Sequence, residues 1–125
     1  ARYGQALALE DLPAIDLVVM GAVAVAPDGA RVGKGEGYAE LEYAILRTLG
    51  RVTAETPVCT TVHDAQLVAT IPVEPFDVPV DLVATPTRLI YTATPHPRPD
   101  RVLWDYLSPA RLAAMPVLAA LRAAR

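Results

Sequence analysis

The segment RVGKGEGYAELE, residues 31–42, gathers three glycines, an arginine, a lysine and three glutamates into twelve positions that run into a helix-like pattern. Gly33, Gly35 and Gly37 allow a tight backbone turn, so that several N–H groups can converge on one anion. A helix opening near Tyr38 would add the positive end of its dipole, and Arg31 and Lys34 would add side-chain cations. Phosphate binding is the chemistry these residues suit. Their spacing matches neither the nucleotide P-loop nor the dinucleotide glycine fingerprint, so the residues alone divide evenly between a phosphate loop and a glycine-rich turn with solvated charges.

Glu36 opposes an anion, because a carboxylate ~4 Å from a phosphate oxygen costs on the order of 4 kcal/mol at an effective dielectric of ~20. Two arrangements remove that cost. The Glu36 side chain can face solvent while its N–H faces the ligand, or Glu36 or Glu40 can hold a Mg²⁺ that grips the phosphates. Glu40 equally suits a first-turn acid favoured by the helix dipole. Elsewhere, His63 and Asp64 in HDAQ invite a base-and-orienter reading, but neighbours on extended chain point to opposite sides, which favours capping or polar surface. His96, within a proline linker, is expected to be solvated. Asp77 and Asp81 are expected to hold turns rather than a metal, and Trp104 and Tyr106 to pack the terminal helices.

These residues need elements to position them. IDLVVMGAVAVA reads as one buried strand or two short ones bent at Gly21, and PDGARVG supplies a turn in which Gly29 takes a positive φ. Tyr38, Leu41, Ile45 and Leu49 form the apolar stripe of a helix over 38–49 closed by Gly50, with Glu40 and Arg47 facing away from it. Residues 56–62, 81–87 and 88–94 read as further strands, alternating with connections rather than pairing as hairpins. Pro72, Pro75 and Pro79 make 69–81 an extended connection, and TPHPRPD at 94–100 is a second stiff linker. Ser108 and Pro109 begin a helix that Pro116 breaks in two. Together they predict an α/β fold, a three-layer α/β/α domain with a mostly parallel sheet, ligands gathering at the carboxyl ends of its strands.

A length of 125 residues predicts a single domain. The net charge of −3 comes without a basic block, so nucleic acid is excluded as an expected partner. The longest apolar run is broken by Asp16 and Gly21 and falls short of the ~20 residues that cross a bilayer, so no membrane span is expected. A lone cysteine, Cys59, cannot form an intrachain disulfide and reads as a core thiol; with no secretory signal visible, the expected location is cytoplasmic.

The loop RVGKGEGYAELE, followed by PVCTTVHDAQLVATIPVEPFDVPVDLVATPT, resembles the 5-formyltetrahydrofolate cyclo-ligase family, also called methenyltetrahydrofolate synthetase. Arg31, Gly33, Gly35, Gly37 and Tyr38 fit that family's ATP phosphate loop, Gln66 its middle segment, and Pro72, Asp77, Pro79 and Asp81 its later run. Glu36 replaces a common Gly, Ala39 a second Tyr, Glu40 an Asp and Phe76 a His, departures that resemble a divergent cyclo-ligase-like branch, part of it thiamin-related. The resemblance implies an ATP- and Mg²⁺-dependent ligase that closes 5-formyltetrahydrofolate, or a related heterocycle, to its methenyl ring. It implies Arg31, Gly33, Lys34, Gly35, Glu36, Gly37 and Tyr38 at ATP, Tyr38 lining the transfer site, and Glu40 at Mg²⁺. The alternative is a non-catalytic nucleotide-binding or interaction module of the same fold. The family's N-terminal portion finds no match in residues 1–125, so the domain is expected to be incomplete on that side, with an open edge or apolar face that favours a homodimer.

Overall fold

The computed structural model describes residues 4, 7–35 and 37–123. Gly21 divides the first apolar run into two short strands, β1 (Val18–Val19) and β2 (Ala24–Val25), which join different sheets. Strand β2 pairs antiparallel with β3 (Arg31–Val32), Ala24 opposite Val32 and Val25 opposite Arg31. The turn between them takes Gly29 to a φ of +95°, and Asp28 Oδ1 accepts the N–H of Ala30 at 3.1 Å. The glycine loop leads from β3 into α1 (Tyr38–Thr48), which ends at Gly50 in the left-handed conformation expected there.

The main sheet contains β1, then β4 (Val58–Thr61), β5 (Leu82–Ala84) and β6 (Leu89–Tyr91), in that spatial order. The first two pairings are parallel and β6 closes the far edge antiparallel, which bears out the α/β class with a mostly parallel sheet. Alternation along the strands turns Val58, Thr60 and Val83 inward, where they lie fully buried with Tyr43 of α1, Val25, Val78 and Val80. The opposite side of α1 places Leu41, Ala44 and Ile45 against Val102, Leu118 and Leu121. Thus α1 is a middle layer between the sheet and two short helices, α2 (Pro109–Ala114) and α3 (Pro116–Ala123). Ser108 Oγ caps α2 by accepting the Arg111 N–H, and Pro116, which lacks an amide donor, separates the two helices as expected.

Several expectations require correction. The strands do form hairpins, β2–β3 and β5–β6, because the Pro27–Gly29 turn and a Thr85–Arg88 turn are short enough to reverse the chain locally. Among the described residues the α-helices cover one sheet face only. The other presents Val19, Leu89 and Tyr91, which remain 61%, 57% and 75% exposed. Cys59 points to that face and is half-buried, not a core thiol. His96 is not free in solvent: its Nε2 lies 2.8 Å from Asp28 Oδ2, tying the second proline linker to the β2–β3 turn. That contact, with the Ala30 amide, holds the Asp28 carboxyl below its ordinary range.

The first proline segment is extended, as its fixed φ angles demand, and Val78, Pro79 and Val80 are buried in it. The Val80 N–H donates to Gly29 O at 2.8 Å, an approach so close that a Cβ on Gly29 would strike Val80 O. Asp81 joins strands rather than holding a turn: its Oδ2 accepts the Val58 N–H and pairs with Arg98 Nη1, both at 2.9 Å. Arg98 also donates to Tyr43 Oη, Pro79 O and Ala54 O. Burial disfavours its charge, but the Asp81 carboxylate and the Tyr43 hydroxyl together more than compensate, so the guanidinium is held above its ordinary value. Arg98→Ala is therefore expected to lose about 2 kcal/mol of stability in urea denaturation, through a broken, partly buried ion pair. Arg101→Ala, whose pair with Asp100 is solvent-exposed, is expected to change stability by less than about 0.5 kcal/mol.

Candidate functional site

Arg31 is the innermost member of the loop. From β3 its guanidinium reaches back to Gly21 O, with Nη2 at 2.7 Å and Nε at 3.2 Å, and forward to Glu40 Oε1, with Nη1 at 2.9 Å. The Arg31 side chain is 2% exposed and that of Glu40 14%, so this is a buried pair in which the arginine's donors meet two partners. Three segments are thereby joined: the bend between β1 and β2, the start of the loop, and the first turn of α1. Gly33 crosses the pair, and a Cβ there would lie 2.9 Å from Arg31 Nη2 and 3.5 Å from Glu40 Oε1. The first glycine of the loop is thus required by a contact, not only by a turn.

The other two described glycines serve conformation. Gly35 and Gly37 have φ of +93° and +74° with open space around them, and Gly37 is the N-cap of α1 without any side-chain cap. Its carbonyl accepts the Leu41 N–H at 3.1 Å, so the N–H groups of residues 38–40 have no acceptor within the helix and point back toward the loop. Lys34 is exposed at the rim. Glu36 lies outside the described residues.

Around this loop is a groove of about 400 Å³ bordered by Gly33, Lys34, Gly37, Tyr38 and the chain at Gly21–Val23. The wall at 21–23 was not expected from sequence. Gln66 holds it, donating from Nε2 to Ala22 O at 3.0 Å and to Val23 O at 3.1 Å. An amide side chain that satisfies two carbonyls of an irregular segment has no periodic signature, which is why only the resemblance marked Gln66. Tyr38 is 41% exposed and its ring carries the Arg111 guanidinium at 4.5 Å, a partner that sequence reasoning missed.

Arg31, Gly33, Lys34, Gly35, Gly37, Tyr38 and Glu40 are all brought together. Two of them are engaged differently from the expectation: Arg31 is committed beneath the loop, and one oxygen of Glu40 is committed to Arg31. Among the described residues no group of three or more His, Cys, Asp or Glu is arranged to hold a metal. His63 and Asp64 form no catalytic pair: His63 Nδ1 accepts the Ala65 N–H while Gln66 Oε1 accepts the His63 N–H, a capping box. Asp64 Oδ1 accepts the hydroxyls of Thr85 and Thr87 at 2.6 and 2.8 Å, which depresses its pKa. Asp77 holds a turn, accepting the Glu74 N–H at 2.7 Å. Burial raises its pKa and the carboxylates of Glu40 and Glu74 add to the shift, against the lowering effect of that amide and of Arg31.

The model of the 5-formyltetrahydrofolate cyclo-ligase family matches residues 3–86. The chain is 46% identical over 125 residues to a methenyltetrahydrofolate synthase domain-containing protein of Homo sapiens, covering 98% of this chain and 32% of that protein. Against its Mus musculus counterpart the identity is 47% over 124 residues, covering 97% and 33%. A 5-formyltetrahydrofolate cyclo-ligase of Mycolicibacterium smegmatis is 37% identical over 82 residues, covering 66% and 39%. The NMR structure of Aquifex aeolicus 5,10-methenyltetrahydrofolate synthetase superposes with a TM-score of 0.48 at 24% identity, covering 66% of this chain and 39% of that one. The chain spans about a third of the length of the domain-containing proteins it matches.

The two loop cations are separable by stability. Arg31→Ala leaves the Glu40 carboxylate buried without its partner and is expected to lose about 3 kcal/mol in urea denaturation, whereas Lys34→Ala is expected to change stability by less than about 0.5 kcal/mol. Asp77 provides a pH test. Its folded pKa lies above its unfolded value, so the native state binds more protons and stability falls as pH rises from about 4 through the folded pKa. Asp77→Asn, which keeps an acceptor for the Glu74 amide, is expected to flatten that decline in urea titrations between about pH 3 and 7.

Proposed function

We propose, from the premise that the chain belongs to the 5-formyltetrahydrofolate cyclo-ligase family, that it is the phosphate-binding part of an ATP-dependent cyclo-ligase-like protein acting on 5-formyltetrahydrofolate or a related nitrogen heterocycle. One observation carries this reading: an uncapped helix N-terminus, entered through two left-handed glycines, opens with Lys34 at its rim onto a groove of about 400 Å³. Those amides suit a polyanion, and no side chain among the described residues caps them.

In the ligation, the formyl oxygen takes the terminal phosphoryl group of ATP, the neighbouring ring nitrogen attacks the activated carbon, and inorganic phosphate leaves as the ring closes. The chain's contribution is positioning and charge neutralisation. The amides of residues 33–35, 37 and 38 and the Lys34 ammonium serve the phosphates. Arg31 acts beneath them, fixing the curvature of the loop, and so is a positioning residue rather than a direct phosphate ligand. Tyr38 lines the place of transfer. Mg²⁺ is commonly bound through one or two carboxylates with phosphates and water, and Glu40, with one oxygen on Arg31, suits that mode as a single carboxylate beside phosphates. Bound there, Mg²⁺ would neutralise part of the phosphate charge.

The runner-up is a nucleotide-binding module without turnover. It is favoured by the Arg111 guanidinium lying over the Tyr38 ring.

Thermal unfolding with and without MgATP tests the shared core of both readings. A rise in Tm that grows with MgATP concentration is expected, absent in Lys34→Ala and retained in His63→Ala. No rise at millimolar MgATP would overturn both. Release of inorganic phosphate dependent on 5-formyltetrahydrofolate then separates the ligase from the silent module, since the module binds MgATP and consumes none.

A further inference from the structure

Tyr38 stands at the exposed end of the apolar stripe of α1. One turn on, Leu41 is buried with Ala44 and Ile45 against Leu118 and Leu121, whereas Tyr38 remains 41% exposed beside the groove. Its cover is a cation: the Arg111 guanidinium lies 4.5 Å from the ring centroid, within the range at which an aromatic face holds such a group. Arg111 is itself firmly placed. Ser108 Oγ accepts its N–H at 3.1 Å where α2 begins, and the next residue, Leu112, packs with Met115 against the cluster that α1 and α3 share. The family match ends at residue 86, so all of α2 lies beyond it.

The glycine loop is thus held at both ends by arginines. At its entry Arg31 is buried beneath it and paired with Glu40. At its exit the chain passes through Gly37, with a φ of +74° and open space around it, directly into Tyr38. A glycine resists few changes of backbone angle, so the ordering of this exit falls to the side chain that follows, and the stack on Arg111 ties that side chain to a separate element. A loop ordered before its ligand arrives loses less freedom on binding and binds more tightly.

We propose that Arg111 is a positioning residue for the nucleotide groove: stacked on Tyr38, it holds the exit of the glycine loop in the arrangement that receives the phosphates. The proposal rests on the nucleotide reading, in its ligase and its silent form alike. It makes a C-terminal helix part of the support of the groove without any contact between Arg111 and the ligand.

Isothermal titration of the 125-residue chain with MgATP tests it. Arg111→Gln is expected to weaken binding about three- to tenfold, and Arg111→Lys, which keeps a cation over the ring, to bind more tightly than Arg111→Gln. Tyr38→Leu is expected to weaken binding by a similar factor. In that background Arg111→Gln is expected to change affinity by less than about twofold, because the ring through which it acts is gone. Arg122→Gln removes another stack of the C-terminal helices, on Trp104 at 5.4 Å, and is expected to leave MgATP affinity unchanged. A loss that persists in Tyr38→Leu would overturn the proposal, since Arg111 would then attract the phosphates directly or merely anchor α2. An equal loss in Arg122→Gln, no advantage of Arg111→Lys over Arg111→Gln, or full affinity in Arg111→Gln would each overturn it while the nucleotide reading stands. No binding of MgATP by the unaltered chain would overturn both. If Arg111→Gln alters the far-UV circular dichroism, Arg111→Met, which keeps the length of the side chain without its charge, takes its place in each comparison. If Tyr38→Leu abolishes binding, the comparison of Arg111→Lys with Arg111→Gln and Arg122→Gln decides.

Discussion

The Arg31 guanidinium, bonded to the Gly21 carbonyl behind it and the Glu40 carboxylate ahead of it, is the constraint on which the architecture around the loop depends. A planar group with five donors can join backbone and carboxylate at once, and burial strengthens each of those bonds while making the loss of any partner costly. The pair fixes where α1 begins relative to the β1–β2 bend, and so fixes both the direction of the first-turn amides and the width of the groove they face. Gly33 follows from it, since a Cβ would intrude on the same guanidinium. A loop so supported needs no arginine at its surface, which leaves the exposed positive charge to Lys34.

Because α1 is clamped at its first turn, it can act as the central layer of the chain. One side carries Tyr43 into the sheet core; the other carries Leu41, Ala44 and Ile45 into the cluster made with α3. The groove shares Gly37 and Glu40 with a second cavity of about 290 Å³ lined by Leu41, Ala44, Phe76 and Leu107. The second sheet face has no such cover among the described residues, and Val19, Cys59, Leu82 and Tyr91 form a row across it.

Local chemistry made much of this legible in advance. Gly29 and Gly50 adopt positive φ where turn and cap reasoning required it, and Pro116 ends a helix because it has no N–H to give. The 38–49 stripe predicted α1 to within a residue, since its period is set by the helix itself. What escaped the sequence was pairing between distant residues: His96 with Asp28, Arg98 with Asp81 and Tyr43, Gln66 with the carbonyls at 22 and 23, Arg111 with Tyr38. The hairpins were missed for a related reason. Strands of two or three residues are too short to show alternation, and their order in the sheet depends on partners elsewhere in the chain.

The residues themselves thus determined the glycine loop, the helix that follows it, the extended proline segments and the α/β class, because turn conformation, helical period and proline geometry are properties of neighbouring residues. Only the tertiary structure decided that Arg31 supports the loop from beneath, that Glu40 is its counter-charge, and that a C-terminal arginine meets a tyrosine at the loop's edge. A charged side chain's role is set by which partner lies within about 3 Å of it and by whether water can reach the pair, and neither is written in the order of residues along the chain.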